Sequence, residues 1–308
     1  MKRAVLIANP HAGRGTAKKI KTELEHFFLE VAGEAGYSGE IFWTERQRHA
    51  TEIAETQSQA ELILAAGGDG TLHEVLQSAI RTKCAVGIVP VGTGNDFSRH
   101  IGIGLDWKLA IRQLKEGACQ DCDVGEITVA GEPEPIYFLN VAGCGFDAAV
   151  AQRINRGFRF VKGTAAYTAG IFSTLSRFRG VPLTLTFEST QTQNIDAMMC
   201  SIGNTSSYGG GMKIAPLADL QDGKIDICTV ARCGIVEFLR AFPMVFKGSH
   251  LSHPKVSYRQ VSELKIESNE PLPILVDGEV RGQTPAQFRV LPKAVRVLMP
   301  QNPNFAGK

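Results

Sequence analysis

The string Gly-Gly-Asp-Gly-Thr at residues 67–71 constrains the chain more than any other feature. The apolar run Leu-Ile-Leu-Ala-Ala precedes it at 62–66, and the helical pattern Leu-His-Glu-Val-Leu follows it at 72–76. This order predicts a buried strand, a tight turn and the start of a helix. Glycine allows positive φ and lets a ligand approach the backbone closely, and the N–H groups at a helix N-terminus suit phosphate. We interpret the stretch as a nucleotide phosphate site; the alternative is an ordinary strand-to-helix turn.

Two side chains inside this string carry chemistry. Thr71 is placed to cap the helix or to donate its hydroxyl to a phosphate. Asp69 would repel phosphate unless a cation or a donor network lies beside it. The chain has no Gly-x-Gly-x-x-Gly after its first strand pattern and no Gly-x-x-x-x-Gly-Lys-Ser/Thr. The predicted site is therefore neither an ordinary dinucleotide fold nor a Walker-type loop.

Strand and helix patterns alternate along residues 1–123. Strands are predicted at 4–8, 41–44, 62–66 and 86–91, and helices after residue 15, over 47–58, after residue 71 and over 107–116. This alternation indicates a doubly wound parallel sheet, in which ligands bind beyond the carboxyl ends of the strands. Small and polar loops follow the strands at 9–15, 67–71 and 92–96, so the topology would bring them to one edge. His11 and His73 lie near that edge, where a structural role is the commoner one for a single histidine.

Strand patterns predominate after residue 123. They are predicted at 124–129, 136–141, 183–187, 197–203, 225–230, 264–266, 287–291 and 294–299. Such a series is typical of an antiparallel sandwich or barrel. We therefore predict an α/β fold: an N-terminal doubly wound parallel-sheet nucleotide domain at 1–123, completed by about 293–308, and a C-terminal antiparallel β-sandwich domain at 124–292.

Composition indicates the cellular compartment and the class of binding partner. The 308 residues carry a formal net charge of only +2, so no basic field indicates a nucleic-acid partner. The chain has 7 cysteines, an odd number, and most sit in apolar runs, which favours reduced thiols in the cytoplasm. Cys119 and Cys122 form a C-x-x-C pair for which zinc or redox use is the alternative.

The sequence also bears on membranes. The chain shows no signal-peptide pattern and no apolar run near the roughly 20 residues of a membrane span, so any membrane contact is expected to be peripheral. Cations and aromatic residues interleave at 153–162, and a helix is predicted from there to 179. This pattern suits an anionic membrane surface, and the alternative is a solvated helix face whose aromatic residues pack inward.

Five motifs together resemble the diacylglycerol kinase catalytic-domain family, which also includes sphingosine and ceramide kinases. They are Asn9-Pro10 with Gly13, Gly-Gly-Asp-Gly-Thr at 67–71, Gly-Thr-Gly-Asn-Asp-Phe at 92–97, Asp222-Gly223, and Asp-Gly-Glu at 277–279. Their order is that of the family, and the stand-alone bacterial lipid kinases are the most similar branch. Gly-Gly-Asp-Gly-Thr alone is shared with NAD kinases. The resemblance implies an α/β nucleotide domain, a β-sandwich and a site in the cleft between them.

The resemblance also implies residue roles. ATP would be held by Asn9, Thr44, Gly67, Gly68, Asp69, Gly70, Thr71, Leu72, His73, Glu74 and Thr93. Asp69 and Asp96 would anchor a metal and charge network near the phosphates, so that Asp69 also serves catalysis. The side chain of Asp222, with the backbone carbonyls of Asp219 and Lys224, would bind a structural Mg²⁺. Glu279 would be the general base, because a carboxylate within reach takes the hydroxyl proton as the O–P bond forms.

The function implied is an ATP-dependent lipid kinase that transfers the γ-phosphate to a lipid hydroxyl, with diacylglycerol as substrate and phosphatidic acid as product. ATP is then the co-substrate and Mg²⁺ the cofactor, the lipid is met at a membrane surface, and the bacterial relatives imply a homodimer. One alternative is a soluble-substrate kinase of the NAD kinase type, against which the motifs at 92–97 and 277–279 argue. The other is a catalytically silent nucleotide-binding membrane regulator, which has no evident need for Glu279.

Overall fold

A computed structural model of the chain describes residues 2–130, 132–155, 178 and 180–301, with the backbone alone at 153–155. Most of the basic and aromatic segment at 153–179, for which we predicted membrane contact, lies outside these residues, as does 302–308. In the described part, no helix has the length and apolar character needed to cross a bilayer.

A parallel sheet forms the first half of the fold. Its strands are β1 (Lys2–Ala8), β2 (Tyr37–Trp43), β3 (Leu62–Gly67) and β4 (Ala85–Pro90), in the spatial order β2-β1-β3-β4. The register places Leu6 beside Ile41 on one side and beside Leu64 on the other. Every residue of β3 and β4 is buried, as expected for strands covered on both faces.

Helices connect these strands and cover the sheet. They are α1 (Ala12–Lys19), α2 (Lys21–Glu34), α3 (His49–Thr56), α4 (Asp69–Thr82), α5 (Asp96–His100) and α6 (Trp107–Glu116). Because the chain moves outward from β1 to β2 and back to β3, right-handed crossovers place α2 and α3 on opposite faces. In agreement, α2 packs against α6 and α3 packs against α4. The predicted doubly wound parallel sheet is confirmed.

Antiparallel strands dominate the second half. The elements are β5 (Gly117–Ala130), β6 (Ile136–Phe138), β7 (Val141–Gly145), α7 (Phe146–Asn155), β8 (Val181–Phe187), β9 (Gln191–Gly203), β10 (Ile225–Ala231), α8 (Ile235–Val245), a 3₁₀ helix (Ser249–Ser252), β11 (Val256–Val261), β12 (Glu263–Ser268), β13 (Pro273–Val276) and β14 (Glu279–Pro300). Their inward-facing side chains form a second core that includes Phe138, Leu264 and Phe288. The predicted β-sandwich is confirmed.

The longest strand, β14, connects the two cores. We predicted separate strands at 287–291 and 294–299, which is wrong: one strand runs from Glu279 to Pro300, with an irregularity between Leu291 and Val295. Near its end Val297 pairs with Val86 of β4, and the neighbouring apolar residues join the first core. The division at residues 123 and 292 stays a prediction, since both β5 and β14 continue through it.

The C-x-x-C pair lies in β5, which begins at Gly117 and not at the predicted residue 124. Cys119 is a free thiol, and Cys122 is free and buried. Burial raises the pKa of the Cys122 thiol to about 12, so the thiol stays protonated at neutral pH. Neither thiol is paired in a disulfide, and the zinc or redox alternative stays untested.

Phe288 tests the second core. It is fully buried in that core, and its backbone pairs with Ile127 of β5 on one side and Leu264 of β12 on the other. We expect Phe288→Ala to lower the free energy of unfolding by about 3–5 kcal/mol in urea denaturation, because it removes buried contacts and leaves a cavity. Phe246→Ala is the control: its ring is 48% exposed, and we expect a change within about 0.5 kcal/mol. Equal losses for both variants would contradict this assignment of the core.

Candidate active site

A cavity of about 410 Å³ opens at the carboxyl ends of β1, β3 and β4. It is lined by Asn9, His11, Ala12, Gly13, Thr44, Arg46, Gln47, Ala50, Gly68, Gly70, Thr71, Glu74, Gly92, Thr93 and Glu279. The structure thus brings most of the predicted ATP-binding residues to one place, together with Glu279. Gly67, Asp69, Leu72 and His73 do not line this cavity.

Close packing of two loops explains the glycines of the cavity floor. A Cβ atom added to Gly92 would lie 2.3 Å from the Cα of Gly68, and one added to Gly67 would lie 2.1 Å from the Oγ1 of Thr71. Neither distance is sterically possible. Gly92 therefore lets the two loops approach each other, and Gly67 leaves room for the Thr71 side chain within its own loop. The missing Cβ atoms also expose the backbone to a ligand.

The carboxylate of Asp69 joins the two loops. It accepts hydrogen bonds from the backbone N–H groups of Asp96, at 3.1 Å, and Phe97, at 3.0 Å, and lies 3.4 Å from the amide nitrogen of Asn140. Burial raises the pKa of Asp69, and the two backbone donors oppose that rise. In this structure Asp69 therefore organises the loop behind the phosphate edge, and its catalytic role stays a prediction.

Asp96 makes a second connection of this kind. Its buried carboxylate accepts the backbone N–H groups of Gly210, at 2.8 Å, and Gly211, at 2.7 Å, from the β-sandwich side of the molecule. Its negative charge also raises the pKa of Asp69. The two carboxylates therefore lie close enough to interact, and their role in a metal and charge network near the phosphates stays a prediction.

A polar stripe runs along α4 and faces the second core. Asp69, His73 and Gln77 follow one another at four-residue spacing, which places them on one face of the helix. His73 contacts Asp277, and Gln77 exchanges two hydrogen bonds with the backbone of Tyr137, at 2.8 and 3.0 Å. Gln77 was not predicted, although three polar residues at four-residue spacing along α4 were a readable signal.

Glu279 stands at the start of β14, just after a hairpin turn. Val276 and Glu279 pair across the turn, and Asp277 and Gly278 between them have φ values of 46° and 90°. Positive φ at both positions is the requirement of a type I′ turn, which Asp-Gly satisfies. The turn presents the Glu279 side chain to the cavity, opposite the nucleotide loops.

Two side chains hold the Glu279 carboxylate. The amide of Gln47 donates to it at 3.3 Å from the edge of α3, and the guanidinium of Arg281 lies 3.1 Å from its second oxygen. Neither residue was predicted. The separation between positions 47 and 279 conceals the first contact, whereas Arg281 lies two positions after Glu279 on the same strand.

The predicted metal ligands lie in the turn before β10. The Asp222 carboxylate accepts the N–H of Lys224 at 2.9 Å and the amide of Gln260 at 3.2 Å, and burial raises the pKa of Asp222. Across residues 2–130, 132–155, 178 and 180–301, no group of three or more His, Cys, Asp or Glu side chains is arranged to hold a metal. The predicted set has one carboxylate and two carbonyl oxygens, and an all-oxygen set of this kind fits Mg²⁺.

A further carboxylate, which our sequence analysis missed, supports this turn. Asp123 is buried and accepts the N–H groups of Gly223, at 2.7 Å, and Lys293, at 2.8 Å. It therefore connects the turn to β14 at the junction of the two cores.

Comparison with known proteins agrees with this architecture. The family model described as "Diacylglycerol kinase catalytic domain" matches residues 3–127, and the one described as "YegS C-terminal NAD kinase beta sandwich-like domain" matches residues 140–299. A protein of Mycobacterium tuberculosis named diacylglycerol kinase is 31% identical over 301 residues, covering 96% of this chain and 94% of its own. One of Bacillus subtilis with the same name is 30% identical over 306 residues, covering 98% and 97%.

Solved structures share the fold. A putative diacylglycerol kinase from Bacillus anthracis superimposes with a TM-score of 0.77 at 24% identity, covering 97% of each chain. A second structure with a similar title, from the same organism, gives a TM-score of 0.77 at 25% identity and covers 99% of each chain.

His100 provides a pH test of the junction. It ends α5, is buried, and contacts the hydroxyl of Ser206 at 3.0 Å. Burial lowers the pKa of His100 from 6.5 to about 4, so between these values the unfolded chain binds more protons than the folded one. We expect stability to fall as the pH drops through this range, by up to about 3 kcal/mol.

His100→Asn should remove most of this dependence, because the amide keeps a polar contact to Ser206 but does not titrate. Urea denaturation at pH 7, 6, 5 and 4 measures it in both proteins. Parallel stability profiles for the parent and the variant would show that His100 is not responsible.

Proposed function

Because the chain belongs to the diacylglycerol kinase family, we propose that it is an ATP-dependent lipid kinase that phosphorylates the free hydroxyl of diacylglycerol and yields phosphatidic acid. The observation that carries the proposal is the composition of one cavity. Its floor is made of glycine-rich nucleotide loops, and Glu279 from the other half of the molecule stands in its wall. A phosphate donor and a base for a hydroxyl acceptor thus share one site.

The cavity floor suits the ATP phosphates. Gly68 and Gly70 expose their backbone, and α4 directs the N–H groups of its first turn towards the same edge. Such groups bind phosphate oxygens through fixed dipoles. We assign Asn9, Thr44, Thr71 and Thr93 to the nucleotide as well, since all of them line the cavity.

Glu74 lines the cavity and also caps a neighbouring helix. Its carboxylate accepts the N–H groups of Arg48, at 2.9 Å, and Ala50, at 3.1 Å, and so caps the start of α3. α3 and the residues before it, Gln47 among them, are therefore held in place by the nucleotide-binding helix.

The reaction needs a base next to the acceptor hydroxyl. Glu279 would accept the hydroxyl proton while the lipid oxygen forms a bond to the γ-phosphorus and the bond from that phosphorus to the bridging oxygen breaks, releasing ADP. Gln47 and Arg281 hold the carboxylate before substrate binds. Backbone donors at the cavity floor would stabilise the charge on the transferred group.

We assign a structural Mg²⁺ to the Asp222 carboxylate and the carbonyl oxygens of Asp219 and Lys224. When bound, the ion supplies a fixed positive charge that holds this turn together. Without it, Asp123 connects the same turn to β14 through Gly223 and Lys293. The turn therefore acts on the site indirectly, by fixing how the two cores meet.

The lipid and the assembly complete the proposal. We propose that the chain contacts its lipid at a bilayer surface without spanning the bilayer, and that it works as a homodimer. The first part rests on the basic and aromatic sequence pattern at 153–162, and the second on the resemblance to the bacterial lipid kinases. Vesicle sedimentation and analytical ultracentrifugation, respectively, test them.

Glu279→Gln tests the proposed base. It keeps the size of the side chain and removes its basicity, so we expect turnover of diacylglycerol in mixed micelles to fall at least about a hundredfold. ATP affinity and melting temperature should change little, because the base acts on the lipid hydroxyl. Glu267→Gln, on an exposed part of β12, is the control. A Glu279→Gln enzyme with more than about a tenth of the parent rate would disprove the assignment.

The same assay separates the alternative functions. ATP turnover that needs lipid micelles supports the lipid kinase. Turnover with a soluble acceptor such as NAD and no lipid would favour an NAD kinase-like enzyme, and ATP binding with no turnover would favour a regulator.

Asp222→Ala tests the proposed metal site. Loss of the one side-chain ligand should weaken Mg²⁺ binding and lower both activity and melting temperature, and excess Mg²⁺ should restore part of each. The measurement is melting temperature and turnover across a magnesium titration. If the variant and the parent give the same curves, Asp222 is a turn residue and not a ligand.

A further inference from the structure

We propose that His73 is a positioning residue which, through Asp277, holds the turn that carries Glu279 in register with the nucleotide loops. The inference rests on the proposed role of Glu279 as general base. It also replaces the ATP-binding role that the family resemblance implied for His73, whose side chain is buried and does not line the cavity.

The contact is enclosed and has an ordinary hydrogen-bond length. The Nδ1 of His73 lies 3.1 Å from a carboxylate oxygen of Asp277, and the two side chains are 1% and 2% exposed. An ionised carboxylate only accepts hydrogen bonds, so Nδ1 carries the hydrogen and donates it. A donor buried away from water makes a stronger bond to a charged acceptor than an exposed one does.

Asp277 transmits this contact to the catalytic turn. Its carboxylate also accepts the backbone N–H groups of Leu139, Asn140 and Val141, at 3.2, 3.0 and 3.2 Å. These bonds fix the turn to the segment at 139–141, which connects β6 to β7. The bond from His73 is different, because it comes from α4, whose N-terminus forms the phosphate edge of the cavity.

Helix α4 therefore holds both reacting partners. Its first residues lie beside the cavity floor, and His73, one turn later, holds the residue two positions before Glu279. The distance from Glu279 to the bound phosphates then depends on this helix and its hydrogen bond to Asp277, together with the contact from Gln47. A misplacement of about 1 Å lowers rates by about a hundredfold in enzymes that depend on orientation, so a small shift here is expected to matter.

The other ring nitrogen of His73 adds to the argument. Within the part of the chain that the structure describes, Nε2 is buried and has no hydrogen-bond partner. A buried polar atom of this kind destabilises a fold. Packing alone does not explain a histidine here, whereas the Nδ1 contact to Asp277 does.

Substitutions at position 73 separate positioning from stability. His73→Leu fills a similar volume without a donor, and we expect its kcat to fall about ten- to a hundredfold with the KM for ATP changed less than about threefold. His73→Asn places an amide donor near the position of Nδ1 and should recover most of the rate. Gln77→Met is the matched control: it removes the neighbouring contacts to Tyr137 on the same stripe and should lower melting temperature without lowering kcat.

A double-mutant cycle with Glu279→Gln identifies the route of the effect. If His73 acts through the base, His73→Leu changes the residual rate of the Glu279→Gln enzyme by less than about twofold. A full additional loss in that background, a parent-like kcat for His73→Leu, or an Asn variant no better than the Leu variant would overturn the inference. Should His73→Leu not fold, His73→Gln replaces it, since its donor stands one carbon too far out.

The cycle also keeps the two proposals apart. An active Glu279→Gln enzyme refutes the general base, whatever position 73 does. An inactive Glu279→Gln enzyme together with a fully active His73→Leu enzyme leaves the base in place and refutes only the role of His73.

Discussion

The carboxylate of Asp277 accepts hydrogen bonds from three backbone N–H groups and from His73, and much of the site depends on this kind of contact. Asp69, Asp96 and Asp123 do the same at other points of the junction between the two cores. A buried carboxylate is unfavourable unless donors surround it. Each of these groups therefore specifies how the segments around it are arranged, because a displaced segment leaves a charge unsatisfied.

These contacts explain how one cavity is built from distant parts of the chain. Parallel strands place their carboxyl-end loops at one edge, and Gly92 lets two of those loops pack against each other. The β-sandwich then contributes Glu279 from a tight turn that has few conformational alternatives. The parallel sheet thus positions the nucleotide-binding loops. The packing of the two cores against each other positions Glu279.

Local sequence patterns predicted the alternation of strands and helices in the first half of the chain. They also predicted the antiparallel strands of the second half. Residues 62–67 show why, because an apolar run followed by glycines is typical of a buried strand that ends in a tight turn. The boundaries failed where strands cross the junction. Gly117 to Cys122 carries too few apolar residues to be recognised as a strand, but it pairs with β14 along its whole length. Pairing with a partner 170 or more residues away overrides weak local preference.

By itself, the sequence determined the fold class, the glycine-rich loops and the turn that carries Glu279, because each follows from short-range sterics and from periodicity. It did not determine what Glu279, Asp69 and His73 touch. Gln47 and Asp123 became visible as part of the site only in the folded chain, since their partners lie far away in the sequence. Hydrogen bonds across the junction depend on the relative position of the two cores, and only tertiary packing decides that position.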